Sequence, residues 1–120
     1  MRLEVKSANH ILLVESDANL SMVVADYLRS KSYTVDTAKD GQEAWELIPK
    51  RHYDIVLSNI TMPNMNGYEL LKLIRSAFAT LAVVFMSEKK DNDSNVRAYE
   101  LGCDDYILKP FTINILTYQI

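Results

Sequence analysis

Five polar residues follow directly on the short apolar runs of this sequence. Glu15 and Ser16 come after Ile11-Leu12-Leu13-Val14, and Asn59 after Ile55-Val56-Leu57-Ser58. Ser87 follows Ala82-Val83-Val84-Phe85-Met86, and Lys109 follows Asp105-Tyr106-Ile107-Leu108. The set holds one carboxylate, two hydroxyls, one carboxamide and one ammonium. It can bind a polar ligand by charge and hydrogen bonds, but it lacks a strong nucleophile. The amide nitrogen of Asn59 has a delocalised lone pair and its oxygen is neutral. Ser58 is a conceivable substitute, but alternation along a strand turns it away from Asn59. No nucleophile-base-acid set is evident. With three glycines, Gly41, Gly67 and Gly102, there is no glycine-rich loop to cradle a nucleotide.

The elements that must position these residues can be read from the pattern. The apolar runs suit strands buried on both faces of a parallel sheet. After the first, Leu20, Val23, Val24, Tyr27 and Leu28 recur at helical spacing, with Asp17 or Asn19 as N-cap. Tyr33 to Ala38 is rich in β-formers. Asp40-Gly41 opens a helix through Ala44, Leu47 and Ile48 that Pro49 is expected to end. Leu70, Leu71, Leu73 and Ile74 form an apolar helix after the Pro63–Gly67 turn. A further helix through Val96, Ala98 and Tyr99 stops at Gly102, a left-handed cap. Residues 1–9 read as an extension and residues 10–120 as one domain. Strand and helix alternate five times, which implies an α/β fold with helices on both faces of the sheet. In such sheets ligands bind beyond the carboxyl ends of the strands, where the five polar residues are expected to converge.

Composition narrows the function. The chain has 120 residues, 48% of them hydrophobic and 24% charged, with a net charge of -3. That balance suits a globular domain and leaves no basic footprint for nucleic acid. No apolar run approaches the roughly 20 residues that cross a bilayer, and the N-terminus lacks the apolar stretch of an export signal, so the cytoplasm is the expected location. One cysteine, Cys103, permits no intrachain disulfide. With only His10 and His52 beside it, a structural zinc site is excluded. His10 is expected just before the first strand and His52 in a surface loop.

From Ile11 to Phe111 the sequence resembles the receiver domains of bacterial response regulators. The resemblance is strongest over Asp54–Gly67 and over Gly102-Cys103-Asp104-Asp105-Tyr106-Ile107-Leu108-Lys109-Pro110-Phe111. It implies a flavodoxin-like fold with a five-stranded parallel sheet in the order 2-1-3-4-5. It also implies a role in two-component or phosphorelay signalling. In the family an acidic pair, an acceptor aspartate and a backbone carbonyl hold magnesium. A hydroxyl and a lysine contact the phosphoryl group, and an aromatic residue switches rotamer. By that resemblance the metal positions are Glu15, Ser16, Asn59 and Thr61, the phosphoryl contacts are Ser87 and Lys109, and the switch aromatic is Tyr106.

The chain departs from the pattern at two of three expected carboxylates: Ser16 replaces the second acid and Asn59 the acceptor. Magnesium, which needs oxygen ligands to displace its waters, is therefore expected to bind weakly or not at all, leaving no cofactor and no enzymatic turnover. Lys109 is expected to pair with Glu15 and to donate to the Asn59 amide oxygen. Glu88, bulkier than the family's usual residue, would crowd the site. The expected function is protein–protein signalling by an atypical receiver. The interaction face is assigned to Arg97, Tyr99 and Tyr106, and the final helix is expected to be short. The partners implied are a histidine kinase, an output domain, a downstream protein or a second copy, with no direct contact to nucleic acid or membrane. Two alternatives stand beside this reading. One is an engineered, phosphorylation-dead form of a working receiver, although Ser16 argues against a single engineered change. The other is a small-molecule sensor that uses the emptied pocket.

Overall fold

The computed structural model describes residues 10–78, 80–87 and 99–108, with the backbone alone for 87 and 105–108. The strands are β1 (His10–Val14), β2 (Thr34–Ala38), β3 (Ile55–Asn59), β4 (Ala82–Ser87) and β5 (Asp105–Leu108). The helices are α1 (Ala18–Ser30), α2 (Gly41–Leu47) and α3 (Gly67–Ala77). The sheet is parallel throughout and runs β2-β1-β3-β4, with β5 pairing along β4. The expected extension, the fourth helix through Val96, Lys109 and the final helix lie outside the described residues.

The apolar runs are continuous because both sheet faces are covered. Ile11, Leu13, Ile55, Leu57, Val84 and Met86 face α1, where they meet Val24, Ala25 and Leu28. Leu12, Val14, Val56, Val83 and Phe85 face the other way, onto Ala44, Leu70, Leu71 and Ile74 of α2 and α3. A fully buried Leu or Ile contributes roughly 1.5–3 kcal/mol, so the two layers together hold the sheet.

Local chemistry sets the helix ends. Asp17 accepts from the N–H groups of Asn19 and Leu20 and caps α1. Asp40 caps α2 through the Glu43 N–H. Asn66 and Glu69 form a reciprocal capping box at α3.

Three expectations need correction. His10 does not precede β1 but begins it, because its backbone pairs with Thr34. Pro49 does not end the helical path at once: a 3-10 turn, Ile48–Lys50, continues past Leu47, since proline near the start of a turn lacks only an N–H that would be orphaned anyway. Val23 is not on the buried stripe of α1 and is 52% exposed. The buried set is Ser21, Val24, Ala25 and Leu28, and Val23 lies roughly 150° around the helix from its centre.

Arg75 fastens the far end of the sheet. Its Nε–H donates to the Gly102 carbonyl (2.9 Å), Nη1 to the Leu81 carbonyl (2.6 Å) and Nη2 to Asp104 Oδ2 (2.9 Å). Asp104 Oδ2 also accepts the Val83 N–H at 2.7 Å. One guanidinium thus joins α3 to the starts of β4 and β5. Gly102 has φ +100° and a Cβ there would lie 3.1 Å from Arg75 Nε, so the approach favours glycine. Arg75→Ala is expected to lower stability by about 2–4 kcal/mol in urea unfolding, because it removes three hydrogen bonds at once, one of them to a carboxylate. Arg75→Lys is expected to recover only part of that, since an ammonium lacks the planar fork.

Candidate functional site

The site lies at the carboxyl ends of β1 and β3. Glu15 directly follows β1, and its N–H donates to the Ala38 carbonyl at the end of β2 (3.0 Å). The residue is 4% exposed, and Oε2 accepts the Asp17 N–H at 3.0 Å. Asp17 is therefore committed to the entrance of α1 rather than to the site. Asn59 is the last residue of β3 and is half-buried.

The Asn59 carboxamide nitrogen makes two contacts. It donates to Glu15 Oε2 at 3.4 Å and to the Thr61 carbonyl at 3.3 Å. Each bond is long beside the usual 2.9–3.0 Å or so, but the NH2 has one hydrogen for each acceptor. Ser58, next along β3, is fully buried and its hydroxyl donates to the Asn59 carbonyl (2.8 Å).

The loop after β3 is held from two sides. The Gly67 N–H donates to the Ile60 carbonyl (2.7 Å). A Cβ on Gly67 would meet the Asn59 carbonyl oxygen at 2.7 Å and Ile60 Cα at 2.9 Å. Glycine therefore lets α3 start against the backbone that carries Asn59. On the other side, Asn64, with φ 66°, donates from Nδ2 to Asp40 Oδ2 at 2.7 Å. The Gly41 N–H donates to the Met65 carbonyl (3.1 Å). Asp40 is 2% exposed. The Glu43 backbone N–H, then the Asn64 amide, hold its carboxyl below the ordinary value of 3.8 despite burial.

Magnesium takes near-octahedral oxygen ligands. Here the Glu15 and Thr61 oxygens that would face an ion are met by N–H donors of Asn59, and the amide nitrogen offers no lone pair. Ser16 is exposed and neutral. The residues present do not fit a magnesium ion.

The described residues include part of the expected site. Glu15, Asn59 and the Thr61 carbonyl come together. Ser87 ends β4 opposite Leu108, and Tyr106 lies opposite Phe85 in β5; these are backbone placements. Lys109, Glu88 and Arg97 lie outside the described residues, so the expected Lys109 contacts do too. The Asn59 group that faces Glu15 is its amide nitrogen. Tyr99 is 46% exposed. A cleft of about 370 Å³ beside the site is lined by Glu15, Ser16, Met22 and Lys39, but not by Asn59.

Sequence reasoning missed Asp40 and Asn64 as partners. The Asp-Gly pair marked the opening of a helix, but nothing in the sequence ties it to a loop 24 residues away.

A second polar cluster sits at the opposite end of β1 and β3. Asp36 Oδ2 accepts from the Tyr53 hydroxyl (2.8 Å) and lies 3.1 Å from His10 Nε2 and 3.6 Å from Arg51. Burial raises the Asp36 carboxyl, but Tyr53, His10 and Arg51 together outweigh it and hold it low. Burial, then Asp36, push the Tyr53 hydroxyl well above its usual range.

Comparison with known proteins places these features. Residues 11–120 match the family described as the response regulator receiver domain. The transcriptional regulatory protein RprY of Bacteroides fragilis is 34% identical over 110 residues, 92% of this chain and 47% of RprY. The regulatory protein VanRB of Enterococcus faecalis is 36% identical, over 92% of this chain and 50% of its own length. The chain spans about half the length of these curated relatives. The non-phosphorylated HemR receiver domain from Leptospira biflexa superposes with a TM-score of 0.87 at 29% identity, covering 92% of this chain and 90% of that one. The chemotaxis response regulator CheY4 of Vibrio cholerae does so at 0.86 and 25%, covering 92% and 93%.

Asp40 makes an acid-stability prediction. Its native carboxyl binds a proton less readily than in the unfolded chain. Its stabilisation is therefore present above about pH 4 and lost as pH falls through the lowered native value. Urea midpoints measured between about pH 6 and pH 2 are expected to fall with acid, with a shallower slope in Asp40→Asn.

Proposed function

The chain belongs to the response regulator receiver domain family, and from that premise we propose that it is an atypical receiver. It serves two-component signalling by protein–protein contact, without aspartyl phosphorylation at position 59. One observation carries the reading: the side chain where a phosphoacceptor carboxylate would stand is a carboxamide turned with its nitrogen toward Glu15 and Thr61.

That arrangement is opposed to phosphoryl transfer in two ways. A phosphoacceptor must present an anionic oxygen to phosphorus, and Asn59 presents a neutral amide. Transfer also needs charge neutralisation around the incoming phosphoryl group. The cation that would supply it has no suitable oxygen set here, because Ser16 adds no charge and the Glu15 and Thr61 oxygens already accept from Asn59.

The domain then acts through its surface. The exposed Tyr99, with Arg97 and Tyr106, is the face assigned to partners: a histidine kinase, an output domain, a downstream protein or a second copy. No catalytic turnover belongs to this function.

Acetyl phosphate with magnesium is the direct test. Intact-mass measurement is expected to find the chain unmodified and no acid-labile, hydroxylamine-sensitive adduct. A stoichiometric acyl phosphate on the native chain would sink the reading. Asn59→Asp is expected to accept phosphate poorly, because Ser16 still lacks the second acid; full labelling of that variant would instead favour a working receiver carrying a single inactivating change.

A further inference from the structure

We propose that the Asn59 carboxamide performs the cross-linking that a bound cation would otherwise supply, and so makes the closed arrangement of this site independent of metal. The inference rests on the reading that position 59 is not a phosphoacceptor, and it says what the residue does instead.

Three pieces of chain meet at the Asn59 amide. Glu15 belongs to the β1–α1 connection, Asn59 ends β3, and Thr61 lies in the β3–α3 loop. Glu15 Oε2 and the Thr61 carbonyl are both acceptors, and like partial charges brought together need a positive group between them. A cation is one solution. The two N–H groups of a carboxamide are another, and they stand 3.4 and 3.3 Å from the two oxygens. The neighbours also favour this rotation of the amide: its oxygen in that place would face the Glu15 and Thr61 oxygens instead of its N–H groups.

The tie reaches beyond the three residues. Glu15 Oε2 also accepts the Asp17 N–H (3.0 Å), and Asp17 caps α1. Thr61 leads into the loop that Asn64 binds to Asp40 at the entrance of α2. The amide therefore links the start of α1 to the start of α2 through β3. Glu15 is 4% exposed, so the tie sits at a buried carboxylate.

An aspartate at position 59 has nearly the same shape and inverts this logic. It would set a second carboxylate against Glu15 and the Thr61 carbonyl in place of the two N–H groups of the amide. The site would then favour a cation in proportion to the repulsion it relieves.

The experiment follows thermal unfolding of the 120-residue chain, Asn59→Asp, and Asn59→Asp combined with Glu15→Gln, each in EDTA and in magnesium chloride. The native midpoint is expected to agree in the two buffers within about 1 °C. Asn59→Asp in EDTA is expected to unfold roughly 3–8 °C lower, and magnesium is expected to raise it. The double variant, relieved of one charge, is expected to lose less in EDTA and to respond less to magnesium. If Asn59→Asp shows no folded baseline in either buffer, a cooperative transition in the double variant supports the tie, and its absence overturns it. A native midpoint that rises with magnesium overturns the proposal, as does an Asn59→Asp chain that matches the native midpoint in EDTA or ignores magnesium. Phosphate labelling of the native chain at some other residue would defeat the functional reading but leave these midpoints as expected, so the two failures are distinguishable.

Discussion

Strand β3 is the constraint on which the rest depends. It is hydrogen-bonded to β1 on one edge and β4 on the other, and Ile55, Val56 and Leu57 are fully buried between two helical layers. A strand enclosed on four sides cannot slip, because a one-residue shift would exchange its two apolar faces. Its last residue, Asn59, is thereby delivered to one point at the sheet's carboxyl edge. Glu15 reaches the same edge because β1 is in register with β3, Val14 lying opposite Ser58.

Loops, not strands, turn that shared edge into a site. Gly67 lets α3 begin against the Asn59–Ile60 backbone, where a Cβ would collide. Asp40 and Asn64 fasten the β3–α3 loop to the entrance of α2. Asn59 then closes the near side toward Glu15 and Thr61. The individual bonds to Asn59 are long, and one of them ends on a Glu15 that is only 4% exposed. Such polar tethers are costly to leave half-satisfied, and among the described residues no buried side-chain polar atom lacks a partner.

The opposite end of the sheet is fastened by different chemistry. Asp36 gathers Tyr53, His10 and Arg51 around one carboxylate, and Arg75 spans α3, β4 and the approach to β5. These clusters leave the carboxyl edge open for function while holding the strands at their starts. The exposed positions of α1, Met22 and Val23 at 58% and 52%, show how little of that outer surface the fold itself needs.

The alternation of apolar runs with helical stripes determined the α/β class, and the strands were legible because burial on both faces leaves an unbroken run such as Ile11–Val14. Asp17 was legible as one of two candidate caps, Asp40-Gly41 as a helix start and Gly102 as a left-handed stop, since those are local chemistry. The identity of Asn59 and Ser16 was also plain in the sequence, and with it the loss of two carboxylates. What the tertiary structure alone decided was which atoms meet. The Asn59 nitrogen turns to Glu15 and Thr61, Asn64 reaches Asp40, and Arg75 finds Gly102, Leu81 and Asp104. The contacts of Asn59 with Glu15, of Asn64 with Asp40, and of Arg75 with Gly102 and Asp104 join residues 24 to 44 positions apart, and no local pattern encodes them. Their geometry follows from strand register and loop path, which only packing of the whole sheet sets.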